Sequence, residues 1–100
     1  MNKTTRFAQI KKELLRQKPS LVEKYKVKQL GLFGSYVRGE QKPQSDLDIL
    51  IDFEEYPSLL EFVSLEDELS EMLGLKVDLV MKSNLKPRIG QQILREVVYV

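Results

Sequence analysis

The chain has 100 residues, 42% hydrophobic and 31% charged, with a net charge of +1. That composition suits one ordinary globular domain spanning 1–100, and it argues against a dedicated nucleic-acid binder, which carries a strong basic excess. With no Cys and no His, disulfides, thiolate nucleophiles, Cys zinc sites, imidazole bases and Ser-His-Asp triads are excluded, so a metal here should be a hard cation held by oxygen, such as magnesium or manganese.

No apolar run approaches the length of a membrane span, and the N-terminal stretch MNKTTRFAQIKKELLRQK lacks the continuous apolar core of a signal peptide. A cytoplasmic protein is expected. Residues 4–17 predict a helix with Phe7, Ile10 and Leu14 as its apolar stripe and Thr4 or Thr5 as its cap. Ser20-Leu21-Val22-Glu23 has capping-box spacing and predicts a second short helix ending near Tyr25. The basic groups Lys11, Lys12 and Arg16, and then Lys24, Lys26 and Lys28, are read as solvated helix faces.

A short buried strand is expected over 29–33, then a turn or short helix from Gly34 to Gly39 and a loop over 40–45. Residues 46–53 alternate as a strand, with Leu47, Ile49, Ile51 and Phe53 on one face and Asp46, Asp48, Leu50 and Asp52 on the other. Leu50 among the acids implies that their face is partly covered. Ser58-Leu59-Leu60-Glu61 is another capping box, opening a helix with Leu59, Phe62, Leu65, Leu69, Met72 and Leu73 inward and Gly74 at its C-terminal stop. A third strand is expected over 75–81. A last helix over 85–95 follows, with Pro87 in its first turn and Ile89, Ile93 and Leu94 inward. The apolar tail Val97 to Val100 is expected to dock on its own domain. The sum is an α+β chain, a small mixed sheet of three to four strands packed with helices.

Asp78 lies between Val77 and Leu79 and projects opposite to them. If its strand neighbours 46–53 with matching faces, Asp46, Asp48 and Asp78 converge, and a divalent cation would neutralise them. For one D-x-D pair alone, solvent-facing acids are the better account. The third acid and the preceding loop favour the cation. A calcium loop is ruled out, because Leu50, Ile51 and Pro57 occupy places that need an oxygen ligand, Gly and Glu. In that loop, GLFGSYVRG, Gly34 lets the backbone approach closely, and the following turn aims free N–H groups at an anion. Ser35 adds a hydroxyl and Arg38 a permanent cation. It is neither a P-loop nor a dinucleotide-binding glycine motif.

Gly34-Ser35, ten residues, then Asp46-Leu47-Asp48, with Asp78 as a third carboxylate in a later apolar strand, resembles the signature of the polymerase-β-type nucleotidyltransferase superfamily. The string GSYVRGEQKPQSDLDILIDF most resembles the minimal nucleotidyltransferases (MNT proteins), several of which are antitoxins encoded beside HEPN-domain ribonuclease toxins. The resemblance covers nearly the whole chain. It implies a polymerase-β-like fold and transfer of AMP from ATP to a hydroxyl. It places metal ligands at Asp46, Asp48 and Asp78, two magnesium or manganese ions in all, with Asp78 also taking the acceptor's proton. Gly34 and Ser35 would hold the β- and γ-phosphates, with Arg38 as a further phosphate contact. Asp52 lies too far along the strand to join them, and Lys82, Lys86 and Arg88 are read as solvated charges. A chain this short leaves part of the acceptor site to another molecule. The resemblance supplies a HEPN toxin modified on a tyrosine, in a hetero-oligomer. The alternatives are an antitoxin that neutralises by binding alone, or transfer to a small molecule or an RNA 3′ end.

Overall fold

The computed structural model describes residues 3–100, with side chains from Arg6 onward. The chain begins with helix α1 (Lys3–Tyr25) and strand β1 (Val27–Phe33), followed by a single helical turn, α2 (Ser35–Arg38), and strand β2 (Leu47–Phe53). Helix α3 (Leu59–Leu73), strand β3 (Val77–Met81), a 3-10 turn at Lys82–Asn84, helix α4 (Pro87–Glu96) and strand β4 (Val98–Tyr99) complete it. The strands form one mixed sheet in the order β3-β2-β1-β4. β1 is antiparallel to both β2 and β4, whereas β2 and β3 are parallel and joined through α3.

The apolar face of the sheet carries the core. Leu30 and Leu32 of β1, Leu47, Ile49, Ile51 and Phe53 of β2, and Val77 and Leu79 of β3 pack against Ile10, Leu14 and Leu21 of α1 and Leu65 and Leu69 of α3. On the opposite face α4 stands beside Asp48, Lys82 of the 3-10 turn donates to Gln29 of β1, and Leu50 is buried. The alternation expected for β2 therefore holds on both faces.

Three expectations are corrected. The two N-terminal helices are one, and Pro19 lies inside it. Pro19 is exposed, as is Leu15, whose carbonyl loses its usual amide partner to the proline ring. Ser20 therefore caps nothing, and the side chains of Thr4 and Thr5 lie outside the described residues. Leu59, expected inward, is 78% exposed, and Ile89 and Leu94 of α4 are also exposed. Strand bounds differ by one or two residues at their N-terminal ends, where pairing rather than alternation decides.

The caps of α3 are as expected. Ser58 accepts a hydrogen bond from the Glu61 amide, Glu61 accepts one from the Ser58 amide, and Gly74 closes the helix in the left-handed region. The tail docks on its own sheet: Val98 and Tyr99 pair with Leu32 and Gly31, and the Val100 amide donates to the Leu30 carbonyl. No helix among the described residues is long and apolar enough to cross a membrane.

Candidate active site

β1 ends at Phe33, directly across the antiparallel ladder from Asp48, near the start of β2. The turn that follows β1 is thereby delivered onto the Asp48 side chain. Gly34 is buried with φ of 84°. A Cβ placed on it would lie 2.0 Å from Asp48 Oδ2. Only glycine allows both that backbone angle and that approach. The turn is held from below by Tyr36, 5% exposed and part of the core, and it closes where the Gly39 amide donates to the Ser35 carbonyl. Ser35 is the first residue of this turn and is half-buried.

Asp48 and Asp78 are direct partners across the parallel β2–β3 ladder, so their side chains leave the same face of the sheet on adjacent strands. Asp46 precedes β2 on that face. It makes a long ion pair with Lys76, 3.9 Å from Nζ to Oδ2, with both groups well exposed. A reciprocal turn delivers it: the Lys42 amide donates to Ser45 Oγ and the Ser45 amide to the Lys42 carbonyl. Asp52, at the other end of β2, accepts from the adjacent Phe53 amide and lies across from Gln29, away from this group. Asp78 is steadied from the edge of the sheet. The Val77 amide donates to Ser70 Oγ (3.0 Å) and the Leu79 amide to Glu66 Oε2 (2.9 Å), so both residues flanking Asp78 are tied to α3.

The electrostatics single out Asp48. Its carboxyl is pushed up from 3.8 to about 6, first by burial and then by the negative charges of Asp78 and Asp46, while Arg38 pulls it the other way. The group therefore carries negative charge that its surroundings only partly offset. Oxygen donors in this setting suit a hard divalent cation. Among the described residues, no three acidic side chains are drawn tightly enough to enclose an ion by themselves.

A cavity of about 530 Å³ opens beside Asp48, bounded by Phe33, Gly34 and Arg38 on one side and by Ile89, Gln92, Ile93 and Glu96 on the other. The α4 residues are spaced as one stripe of a helix. Glu96 reaches across to the turn, where the Gly34 amide and Arg38 Nη1 both donate to its Oε1, each at 2.7 Å. Arg38 also pairs with Glu40. These α4 residues were not foreseen as part of the site. The stripe is legible in the sequence, but the face of the sheet that it covers is not. A second cavity, about 360 Å³, lies at the other end of β3 between Leu59, Phe62 and Met81 and has no charged side chain in its wall.

The sequence matches the nucleotidyltransferase domain family over residues 10–100. The chain belongs to this family. It is 58% identical over 92 residues to the protein adenylyltransferase MntA of Thermococcus cleftensis, covering 92% of this chain and 93% of that one. A solved structure described as a minimal nucleotidyltransferase superposes with a TM-score of 0.74 at 37% identity, covering 98% of this chain and 95% of the other. A crystal structure of a toxin-antitoxin with AMP-PNP gives a TM-score of 0.70 at 26% identity over 84% of this chain and 69% of its own. The protein is thus a minimal nucleotidyltransferase with the polymerase-β-like α+β fold, as the Gly-Ser turn and its acids implied.

Proposed function

We propose that this nucleotidyltransferase transfers AMP from ATP to a tyrosine hydroxyl of a HEPN-domain toxin and so acts as its antitoxin. The observation that carries the reading is the stacking of the Gly34 turn on Asp48, with Asp78 beside it on the next strand. The Gly-Ser turn and a carboxylate pair are thereby brought to one end of a rigid sheet. The relative named protein adenylyltransferase, at 58% identity, supports a protein acceptor. The toxin-antitoxin structure with AMP-PNP supports ATP and a toxin partner. The HEPN class and the tyrosine rest on the family resemblance.

In this reading Asp46, Asp48 and Asp78 hold magnesium, which when bound neutralises charge on the phosphates and on the departing oxygen. Gly34 and Ser35 bind the β- and γ-phosphates, so pyrophosphate departs from donors already oriented toward its charge. Arg38 adds a cation that cannot be deprotonated. Asp78 faces solvent and the incoming acceptor, and it takes the hydroxyl proton. The new bond joins the tyrosine oxygen to the α-phosphorus, the bond from that phosphorus to the β-bridging oxygen breaks, and pyrophosphate carries away the electron pair.

The test is intact mass of the partner toxin after incubation with this protein, ATP and magnesium. A gain of one or more AMP units is expected, and Asp46→Ala with Asp48→Ala abolishes it. An unchanged toxin mass with the unaltered protein sinks the proposal. If the double variant still neutralises the toxin at equal stoichiometry, neutralisation runs by binding alone.

A further inference from the structure

Resting on the phosphate site just described, we infer that Glu96 is a resident anion of that site: its carboxylate occupies the donors that the β- and γ-phosphates need, and a polyphosphate must displace it to bind. The geometry is specific. One oxygen, Oε1, accepts from both the Gly34 amide and the Arg38 guanidinium at 2.7 Å, and the side chain is only 19% exposed. Those lengths are typical of charge-assisted hydrogen bonds.

A carboxylate oxygen and a phosphate oxygen present the same acceptor to an N–H group and a guanidinium. One amide proton cannot serve both at full strength, and two anions side by side repel. Glu96 therefore satisfies the buried Gly34 N–H while no nucleotide is present, where an unpaired amide would be costly. It also raises the threshold for anions, because a ligand must bring enough phosphate contacts to replace the carboxylate. Glu96 thus acts as a specificity-determining residue for polyphosphates. It has room to yield, since it stands at the last turn of α4 beside the 530 Å³ cavity.

The test is calorimetric titration of the full chain with ATP, inorganic tripolyphosphate and AMP, in the presence of EDTA and then with magnesium. Glu96→Gln removes the charge with little change of shape, and Glu96→Ala removes the acceptor altogether. Both variants should bind ATP and tripolyphosphate about 10-fold more tightly, the scale of one hydrogen bond to a charged group. AMP, which has no β- or γ-phosphate, should bind the variants and the unaltered protein equally. Thermal melting of each variant separates this role from a structural one: a tie that only fastens α4 to the turn would lower the melting temperature and leave or weaken ATP affinity. Unchanged or weaker ATP binding by Glu96→Gln, with normal ATP binding by the unaltered protein, overturns the inference and leaves the phosphate site standing. Failure of every form to bind ATP overturns both.

Discussion

Under α1 and α3, the face of β2 presents Leu47, Ile49, Ile51 and Phe53, each at most 3% exposed, whereas on the other face Asp48 and Asp52 of the strand, with Asp46 just before it, surround one buried Leu50. Two helices seal the first face with Leu14, Leu21, Leu65 and Leu69. One short helix stands over the second and leaves a cavity with Ile89 exposed at its edge. The contrast separates two tasks within seven residues of strand. Close packing on one side fixes where the backbone runs, and that fixed backbone holds like charges together on the other, where they would otherwise drift apart.

The comparison breaks most visibly at Asp48. Asp48→Asn keeps the shape and removes the charge, so AMP transfer should fall by roughly a hundred- to a thousandfold, the scale seen when one transition-state contact is lost. Stability should move the other way. The folded protein holds Asp48 protonated up to about 6, whereas the unfolded chain releases that proton near 3.8. Between those values the folded state binds more protons, so stability falls as pH rises through the window and stays lower above it. Thermal melts of the metal-free protein should therefore drop from pH 4 toward pH 7 more than melts of Asp48→Asn. Equal pH profiles for the two would show that the strain on Asp48 is relieved in solution.

Leu69→Ala tests the sealed face. Leu69 is fully buried between α3 and the sheet, and its truncation should cost about 2–5 kcal/mol in urea unfolding. Well below the melting temperature, transfer should stay close to that of the unaltered protein, because the residue touches only the apolar side. A matching loss of activity would mean that the two faces are not separable.

The same contrast explains what could be read from the sequence. Period-2 alternation in β2, the Ser58–Glu61 box and Gly74 are local signals, and each appears in the structure where the residues imply. The Gly34 turn and the acids are also adjacent to recognisable strands, so their likeness to a known motif survives without coordinates. What was not legible depends on distant partners. Ser20-Leu21-Val22-Glu23 reads as a fresh helix start until α1 is seen to run unbroken through Pro19. Ile89 reads as a core residue until α4 is seen to lie over a cavity. Glu96 is 62 positions from Gly34, and only the return of β4 to the edge of β1 brings the C-terminus back to the turn.

Ser70 offers the smallest and most discriminating change, because it belongs to the sealed side yet steadies an acid on the open one. Its hydroxyl accepts from the Val77 amide and donates to the Glu66 carbonyl, while the Glu66 side chain accepts from the Leu79 amide, so the two residues flanking Asp78 are tethered to α3. Among the described residues β3 is an edge strand with β2 as its one strand neighbour, and a freed edge amide can turn to water. Ser70→Ala should therefore cost about 1 kcal/mol, the net value of one such hydrogen bond. If Asp78 receives the acceptor's proton, the loosened strand should lower kcat a few-fold while leaving KM for ATP unchanged. Ser70→Thr, which keeps the hydroxyl, should restore kcat. A rise in KM for ATP with kcat intact would instead place Asp78 on the nucleotide side of the site, and the division of labour among the three acids would have to be redrawn.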